Sequence, residues 1–167
     1  MSRAVLSLGS NVGDRAANLR GALATLRAAG ARVVAVSPVY ATAPWGGVEQ
    51  DDFLNAVVVV EDPASRPRDW LTRARAAESR AGRTRDVRWG PRTLDVDVLD
   101  VDGTISADPE LTLPHPRAHE RAFVLVPWLD VEPDAAVAGR GPVRDLLAAL
   151  PASERDGVRR DATELSG

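Results

Sequence analysis

The segment Arg88-Trp89-Gly90-Pro91-Arg92-Thr93-Leu94-Asp95-Val96-Asp97-Val98-Leu99 holds the residue types and spacing best suited to chemistry in this 167-residue chain. Residues 93–101 alternate with a period of two, which predicts a β-strand. On such a strand Asp95 and Asp97 project from one face while Leu94, Val96 and Val98 fill the other. Two neighbouring carboxylates repel each other, and hard oxygen ligands beside arginines suit Mg²⁺ with a polyphosphate. A bare Asp-x-Asp also occurs on solvated strand faces. Here, however, Arg83, Arg85, Arg88 and Arg92 crowd one Gly- and Pro-containing loop ahead of the carboxylates, which fits a triphosphate clamp better than a structural surface.

Composition narrows the chemistry further. All 21 basic residues are arginine, so the P-loop, Schiff-base and kinase-type lysines are excluded and phosphate binding must rest on arginine, backbone amides and metal. There is no cysteine, which removes thiolate metal sites, disulfides and cysteine nucleophiles. A net charge of -3 argues against a general nucleic-acid binder. With 44% hydrophobic and 27% charged residues the chain reads as one globular domain over residues 1–167. No apolar run approaches the roughly 20 residues of a membrane helix, and the N-terminus lacks the pattern of a signal peptide, so a cytoplasmic protein is expected.

The elements that must position these residues follow in order. Residues 4–8 predict a strand, broken at Gly9 to Asp14, where Asn11 or Asp14 can cap a helix. Leu19, Leu23 and Leu26 share one helical face and Gly30 supplies the stop. Residues 31–37 and 53–60 are β-branched runs separated by a long loop from Tyr40 to Asp52. A helix starting near Ser65 carries Trp70, Ala74 and Ala77 on one side and stops at Gly82. The strand at 93–101 ends in Asp102-Gly103, a hairpin signal. The order strand–helix–strand–strand–helix–strand predicts an α+β, ferredoxin-like βαββαβ sandwich, with an antiparallel sheet and helices on one face. Leu111 to Pro116, an apolar run Ala122 to Leu129 and a short helix near 143–150 add C-terminal elements. Residues 152–167 read as a flexible tail.

At this point the sequence resembles the 6-hydroxymethyl-7,8-dihydropterin pyrophosphokinases over about residues 4–135. Arg88 to Leu99 satisfies the family's signature of a basic residue followed by x-G-P-R-x-x-D-hydrophobic-D-hydrophobic-hydrophobic. Gly9-Ser10-Asn11, Tyr40-x-Thr42-x-Pro44-x-Gly46, Phe53-Leu54-Asn55-Ala56, Glu78-x-x-x-Gly82-Arg83-x-Arg85, Leu113-Pro114-His115 and Arg121-x-Phe123-Val124-Leu125-x-Pro127 stand in the family's order.

The resemblance implies transfer of diphosphate from ATP to the pterin hydroxymethyl group, giving AMP, with two Mg²⁺ ions on Asp95 and Asp97. It implies that Phe53 and Phe123 sandwich the pterin ring, that Asn55 bonds its polar edge, and that Thr42, Pro44, Trp45 and Asp95 complete the pocket. Arg83 and Arg92 resemble the catalytic arginines. Arg85, Arg88, Arg92, His115 and Arg121 would bind ATP phosphates, with Leu71, Glu78, Trp89, Val98, Leu111 and Thr112 on the adenosine side. The expected partners are ATP and the pterin, with no nucleic acid or membrane, and the protein is expected to be a monomer.

Two rivals and two decoys complete the reading. A nucleotidyltransferase would place its Gly-Ser and Asp-x-Asp motifs close together, whereas Ser10 and Asp95 are far apart in sequence. A ferredoxin-like ligand sensor would need neither the carboxylate pair nor the arginine loop. Asp100 falls on the opposite strand phase from Asp95 and Asp97, so a turn role is expected; a calcium loop there is excluded by Val98 and Pro109 at ligand positions. His119 reads as a surface helix residue.

Overall fold

The structure is a computed structural model and describes residues 2–43, 52–82 and 93–165. Its chain runs β1 (Ser2–Ser10), α1 (Arg15–Ala28), β2 (Arg32–Val36), β3 (Tyr40–Thr42), β4 (Phe53–Asp62), α2 (Pro67–Arg80) and β5 (Asp95–Val101). Then follow β6 (Ser106–Asp108), β7 (Leu111–Leu113), a 3₁₀ turn (Ala118–Glu120), α3 (Ala122–Val131), β8 (Ala136–Val137), β9 (Gly141–Pro142), α4 (Val143–Ala149), α5 (Ala152–Asp156) and β10 (Arg159–Arg160). The main sheet is antiparallel with strand order β10-β3-β4-β1-β5, and β2 lies beside β4 beyond β3.

The period of β1 decides the layers. Its even residues Leu6 and Leu8 join Leu54, Ala56, Val58, Val96 and Val98 in a core closed by Leu19, Leu23 and Leu26 of α1 and Trp70, Ala74 and Ala77 of α2. Asp14 caps α1 by accepting from Ala17 N at 3.0 Å. Pro67 opens α2, where Asp69 accepts from Arg66 N at 2.8 Å. On the opposite face Val5, Val57, Val59 and Leu99 pack on Val124, Leu125 and Trp128 of α3 and Val143 of α4. The four consecutive valines 57–60 are buried because β4 is covered on both sides there, a pattern that an alternating strand does not show. The sandwich core matches the sequence reading, and α3 adds a second layer across half of the other face.

Four local expectations change. The predicted 40–52 loop begins later, because Tyr40, Ala41 and Thr42 form β3 and pair with Asn55, Leu54 and Phe53. Asp102 (φ 51°) and Gly103 (φ 70°) make the expected tight turn, closed by Thr104 N donating to Val101 O at 2.9 Å, but the strand that follows, β6, pairs with β7 and not with β5. The tail read as flexible is ordered through residue 165: β10 pairs with β3, and Leu165 is buried in the α1–α2 core.

The fourth change is Asp100. Gly9, Ser7 and Val5 of β1 share a face and pair with Asp95, Asp97 and Asp100, because a bulge at Leu99 inserts one residue between Val98 and Asp100. Asp100 therefore lies on the α3 side with the other two aspartates, while it also serves the turn by accepting from Gly103 N at 3.3 Å. Its Oδ1 is buried without a hydrogen bond, and burial, reinforced by Glu132 and Asp102, raises its pKa. A carboxyl whose folded pKa is raised favours the fold most while protonated and loses that contribution as pH climbs through the folded pKa. Asp100→Asn is expected to melt higher than the parent at pH 7, with the gap closing towards pH 4, as followed by thermal melts at the two pH values.

Candidate functional site

The half of the α3-side face that α3 leaves uncovered holds the candidate site residues. Cross-strand pairing sets Asp95 of β5, Gly9 of β1, Asn55 of β4 and Tyr40 of β3 in one row across four strands, with Asp97 opposite Ser7 in the next row. The row exists because β1 places a glycine at its centre. A Cβ built on Gly9 would stand 3.2 Å from Asn55 Oδ1 and 3.7 Å from Phe53 Cδ1, so any larger residue presses on the Asn55 amide.

Asn55 is 3% exposed, and its Nδ2 donates to Thr42 Oγ1 at 2.8 Å. Neighbouring strands thus fix the amide plane while the second N–H and the carbonyl keep capacity for a ligand's polar edge. Phe53 is half-buried and pairs with Thr42 across β3–β4. Tyr40 OH donates to Asp130 Oδ2 at 2.5 Å, tying β3 to α3; burial, and then that bond, push its pKa up to about 12, so it stays protonated.

The acidic end has its own support. β5 is an edge strand, and on its free side the buried Glu78 of α2 accepts from Val96 N at 3.0 Å. Val96 lies between the two aspartates, so this bond fixes the backbone that carries both. His115 N donates to Leu99 O at 3.0 Å further along the same strand. Burial, followed by the charge of Arg121, holds the His115 pKa down at about 4, against a smaller opposing pull from Asp95. At neutral pH the ring is uncharged, and since Nδ1 accepts from Arg117 N at 3.2 Å, Nε2 carries its proton. Arg121 lies 5.6 Å above the Phe123 ring centroid.

The sequence-predicted residues sort as follows. Thr42, Phe53, Asn55, Asp95 and Asp97 come together on the open sheet face, flanked by His115, Arg121 and Phe123. Leu71, Glu78, Val98, Leu111 and Thr112 belong to α2, β5 and β7, which pack together at the outer edge of the sheet; Leu71 is half-buried, Val98 and Leu111 are buried, and the Thr112 hydroxyl donates to Asp108 O. Pro44, Trp45, Arg83, Arg85, Arg88, Trp89 and Arg92 lie outside the described residues. His119 is partly buried, with Nε2 3.6 Å from Glu120 and a buried Nδ1, and is less exposed than its sequence suggested. Gly9 and Tyr40 also belong to this row, and both lie in the motifs Gly9-Ser10-Asn11 and Tyr40-x-Thr42-x-Pro44-x-Gly46, where residue type alone does not disclose a role.

Among the described residues no group of three or more His, Cys, Asp or Glu side chains gathers as a metal cage. Asp95 and Asp97, about 7 Å apart along the strand, instead form a two-carboxylate pair opposite the small residues Gly9 and Ser7. That donor set fits Mg²⁺, which takes one or two carboxylates and completes its shell with water and substrate phosphates.

Comparison with known proteins bears on the family and the fold. The family model described as 7,8-dihydro-6-hydroxymethylpterin-pyrophosphokinase matches residues 5–133. Curated relatives bearing the name 2-amino-4-hydroxy-6-hydroxymethyldihydropteridine pyrophosphokinase include one from Mycobacterium leprae, 54% identical over 172 residues, covering 95% of this chain and 88% of the relative. One from Mycobacterium tuberculosis is 49% identical over 95% of this chain and 89% of the relative, and one from Pseudomonas aeruginosa is 40% identical over 90% and 93%. In fold the chain resembles Plasmodium falciparum HPPK-DHPS solved with pteroate, with a TM-score of 0.70 at 14% identity over 88% of this chain. The chain spans 44% of that Plasmodium protein's length. By the family match and the curated relatives, the chain belongs to the 7,8-dihydro-6-hydroxymethylpterin-pyrophosphokinase family.

Proposed function

We infer that the protein transfers the diphosphate of ATP to 6-hydroxymethyl-7,8-dihydropterin, yielding the pterin diphosphate and AMP in folate biosynthesis. Family membership supports the reaction, and the row Asp95–Gly9–Asn55 supports its location: one sheet face carries a buried amide suited to a flat polar heterocycle two strands from a carboxylate pair suited to metal and phosphate. On this reading Phe53 and Phe123 hold the ring, Asn55 reads its edge, and Thr42 fixes the Asn55 amide. Pro44 and Trp45 complete the pterin side.

The hydroxymethyl oxygen forms a bond to the β-phosphorus while the bond from that phosphorus to the α,β-bridging oxygen breaks; AMP leaves with that oxygen, and the hydroxyl proton passes to solvent or to a phosphate oxygen of the products. Asp95 and Asp97 would hold two Mg²⁺ ions, which neutralise phosphate charge and align the attacking oxygen when bound. Arg83 and Arg92 act on the transferred diphosphate, and Arg85, Arg88 and Arg121 bind ATP phosphates. His115 contributes as a neutral N–H donor rather than a cation. Leu71, Glu78, Trp89, Val98, Leu111 and Thr112 line the adenosine side, Glu78 also fixing β5. We read the protein as a cytoplasmic monomer that works without nucleic acid or membrane; among its described residues no helix is long and apolar enough to cross one.

Product identity tests the reaction. Chromatography of a mixture of protein, Mg²⁺, ATP and the hydroxymethyl-dihydropterin is expected to show AMP in stoichiometric amount with the pterin diphosphate. ADP as the stoichiometric nucleotide would overturn the reading.

A further inference from the structure

We propose that the C-terminal strand β10, through Arg159 and its pairing with β3, is a positioning device for the pterin side of the site. The family model matches residues 5–133, and β10 follows that stretch. β3 is three residues long and would otherwise form the outer edge of the sheet, with its backbone groups open to solvent. β10 covers that edge: Arg159 pairs with Ala41, Arg160 with Tyr40, and Asp161 N donates to Val39 O at 2.8 Å.

The segment also reaches the start of β4. Arg159 Nη2 contacts Asp52 Oδ2 at 2.9 Å, and Arg15 Nη1 of α1 holds Asp52 O at the same distance. Asp52 directly precedes Phe53, which pairs with Thr42, and Thr42 in turn holds the Asn55 amide. Beyond β10 the chain is fastened twice more, where Arg20 donates to Glu164 O (2.9 Å from Nη2) and where Leu165 is buried against the core. The last residues therefore clamp β3 and Asp52 from outside. Both Thr42 and Phe53 are fixed by elements the clamp touches, whereas Asp95, Asp97 and Glu78 lie at the far edge of the sheet. The clamp is therefore selective: it bears on the pterin and not on ATP.

The proposal rests on the pterin assignment above, and its test separates the two. The variants are Arg159→Ala, an exposed change that leaves the fold intact, Arg159→Lys, and the double variant Arg159→Ala with Asp161→Pro, which also removes the N–H that reaches Val39. Steady-state kinetics are measured well below each melting point, with Asn55→Ala as reference. An exposed ion pair contributes little, so Arg159→Ala is expected to raise the pterin KM about threefold, with kcat and the ATP KM within twofold. Arg159→Lys restores most of the loss, and the double variant raises the pterin KM about tenfold or more. An unchanged pterin KM in Arg159→Ala, or an equal rise for both substrates, overturns the proposal. If Asn55→Ala itself leaves pterin binding intact, the pterin assignment falls and the clamp falls with it; if Asn55→Ala loses pterin while the clamp variants do not, only the clamp falls.

Discussion

Asp97→Asn is expected to lower turnover by about a thousandfold or more while leaving the protein folded. The substitution keeps size and hydrogen-bonding shape but removes one of two charges that the metal platform offers, and metal stabilisation of phosphoryl transfer is worth several kcal/mol, each 1.4 kcal/mol being tenfold in rate. The fold has less at stake. Asp97 is half-exposed on the open sheet face, opposite Ser7, and the bond from Val96 N to Glu78 that holds the strand does not involve it.

Thermal melts separate the two effects. A ligand at 100 times its dissociation constant adds about 2.7 kcal/mol, which for a chain of this size is a rise of roughly 5–10 °C. The parent is expected to show that rise with Mg²⁺ and a non-hydrolysable ATP analogue, and Asp97→Asn to show under about 2 °C. Without ligand the variant should melt within a few degrees of the parent, because the amide keeps the size and hydrogen-bonding capacity of the carboxylate and the repulsion from Asp95 that it relieves offsets part of the interactions Asp97 makes. A solvated, purely structural strand face predicts unchanged turnover and no difference between the two ligand responses. Full activity of Asp97→Asn at limiting Mg²⁺ would remove the metal assignment and the mechanism with it.

What the sequence disclosed tracks the strength of the local signal. α1 and α2 were legible because Leu19, Leu23 and Leu26, and Trp70, Ala74 and Ala77, repeat at helical spacing and bury as predicted. The aspartate pair was legible because Asp95 and Asp97 precede the bulge at Leu99 and obey the period of two; Asp100 follows the bulge, so the same period placed it on the wrong face. α3 reads from its sequence only as an apolar run, because it is apolar almost all round and carries Pro127 inside, which hides helical periodicity. β3 and β10 are too short to alternate; β3 is a strand only because β4 and β10 pair with it, and β10 only because β3 does. The candidate site divides in the same way. Residue types revealed Asn55 and the carboxylates, but the value of Gly9 is a distance across two strands and could not be read from Gly9-Ser10-Asn11 alone.

Asn55→Ala is expected to weaken pterin binding by about 10- to 100-fold while changing affinity for the ATP analogue less than about threefold. A buried polar edge that loses its partner costs about 1–3 kcal/mol, and the Asn55 amide is both buried and held by Thr42 with its remaining capacity turned to the open face. Asp95 and Asp97 lie on β5 and Arg121 at the start of α3, away from β4, so affinity for the analogue is expected to respond little. Gly9→Ala tests the same geometry without deleting a polar group. The added Cβ would lie 3.2 Å from Asn55 Oδ1, tighter than ordinary contact, so the amide or β1 must give way by a few tenths of an ångström. Because Asp95 pairs with Gly9 on the other side, a shift of the whole strand would disturb both substrates, whereas a shift of the Asn55 amide would disturb the pterin alone. Asn55 is a side chain held by one hydroxyl, and β1 is a strand bonded on both sides, so the amide is the part that yields. Calorimetry on Gly9→Ala should therefore show pterin affinity reduced about tenfold and analogue affinity preserved. Equal losses for both ligands in either variant would place Asn55 in the scaffold and leave the pterin edge to be read by another group.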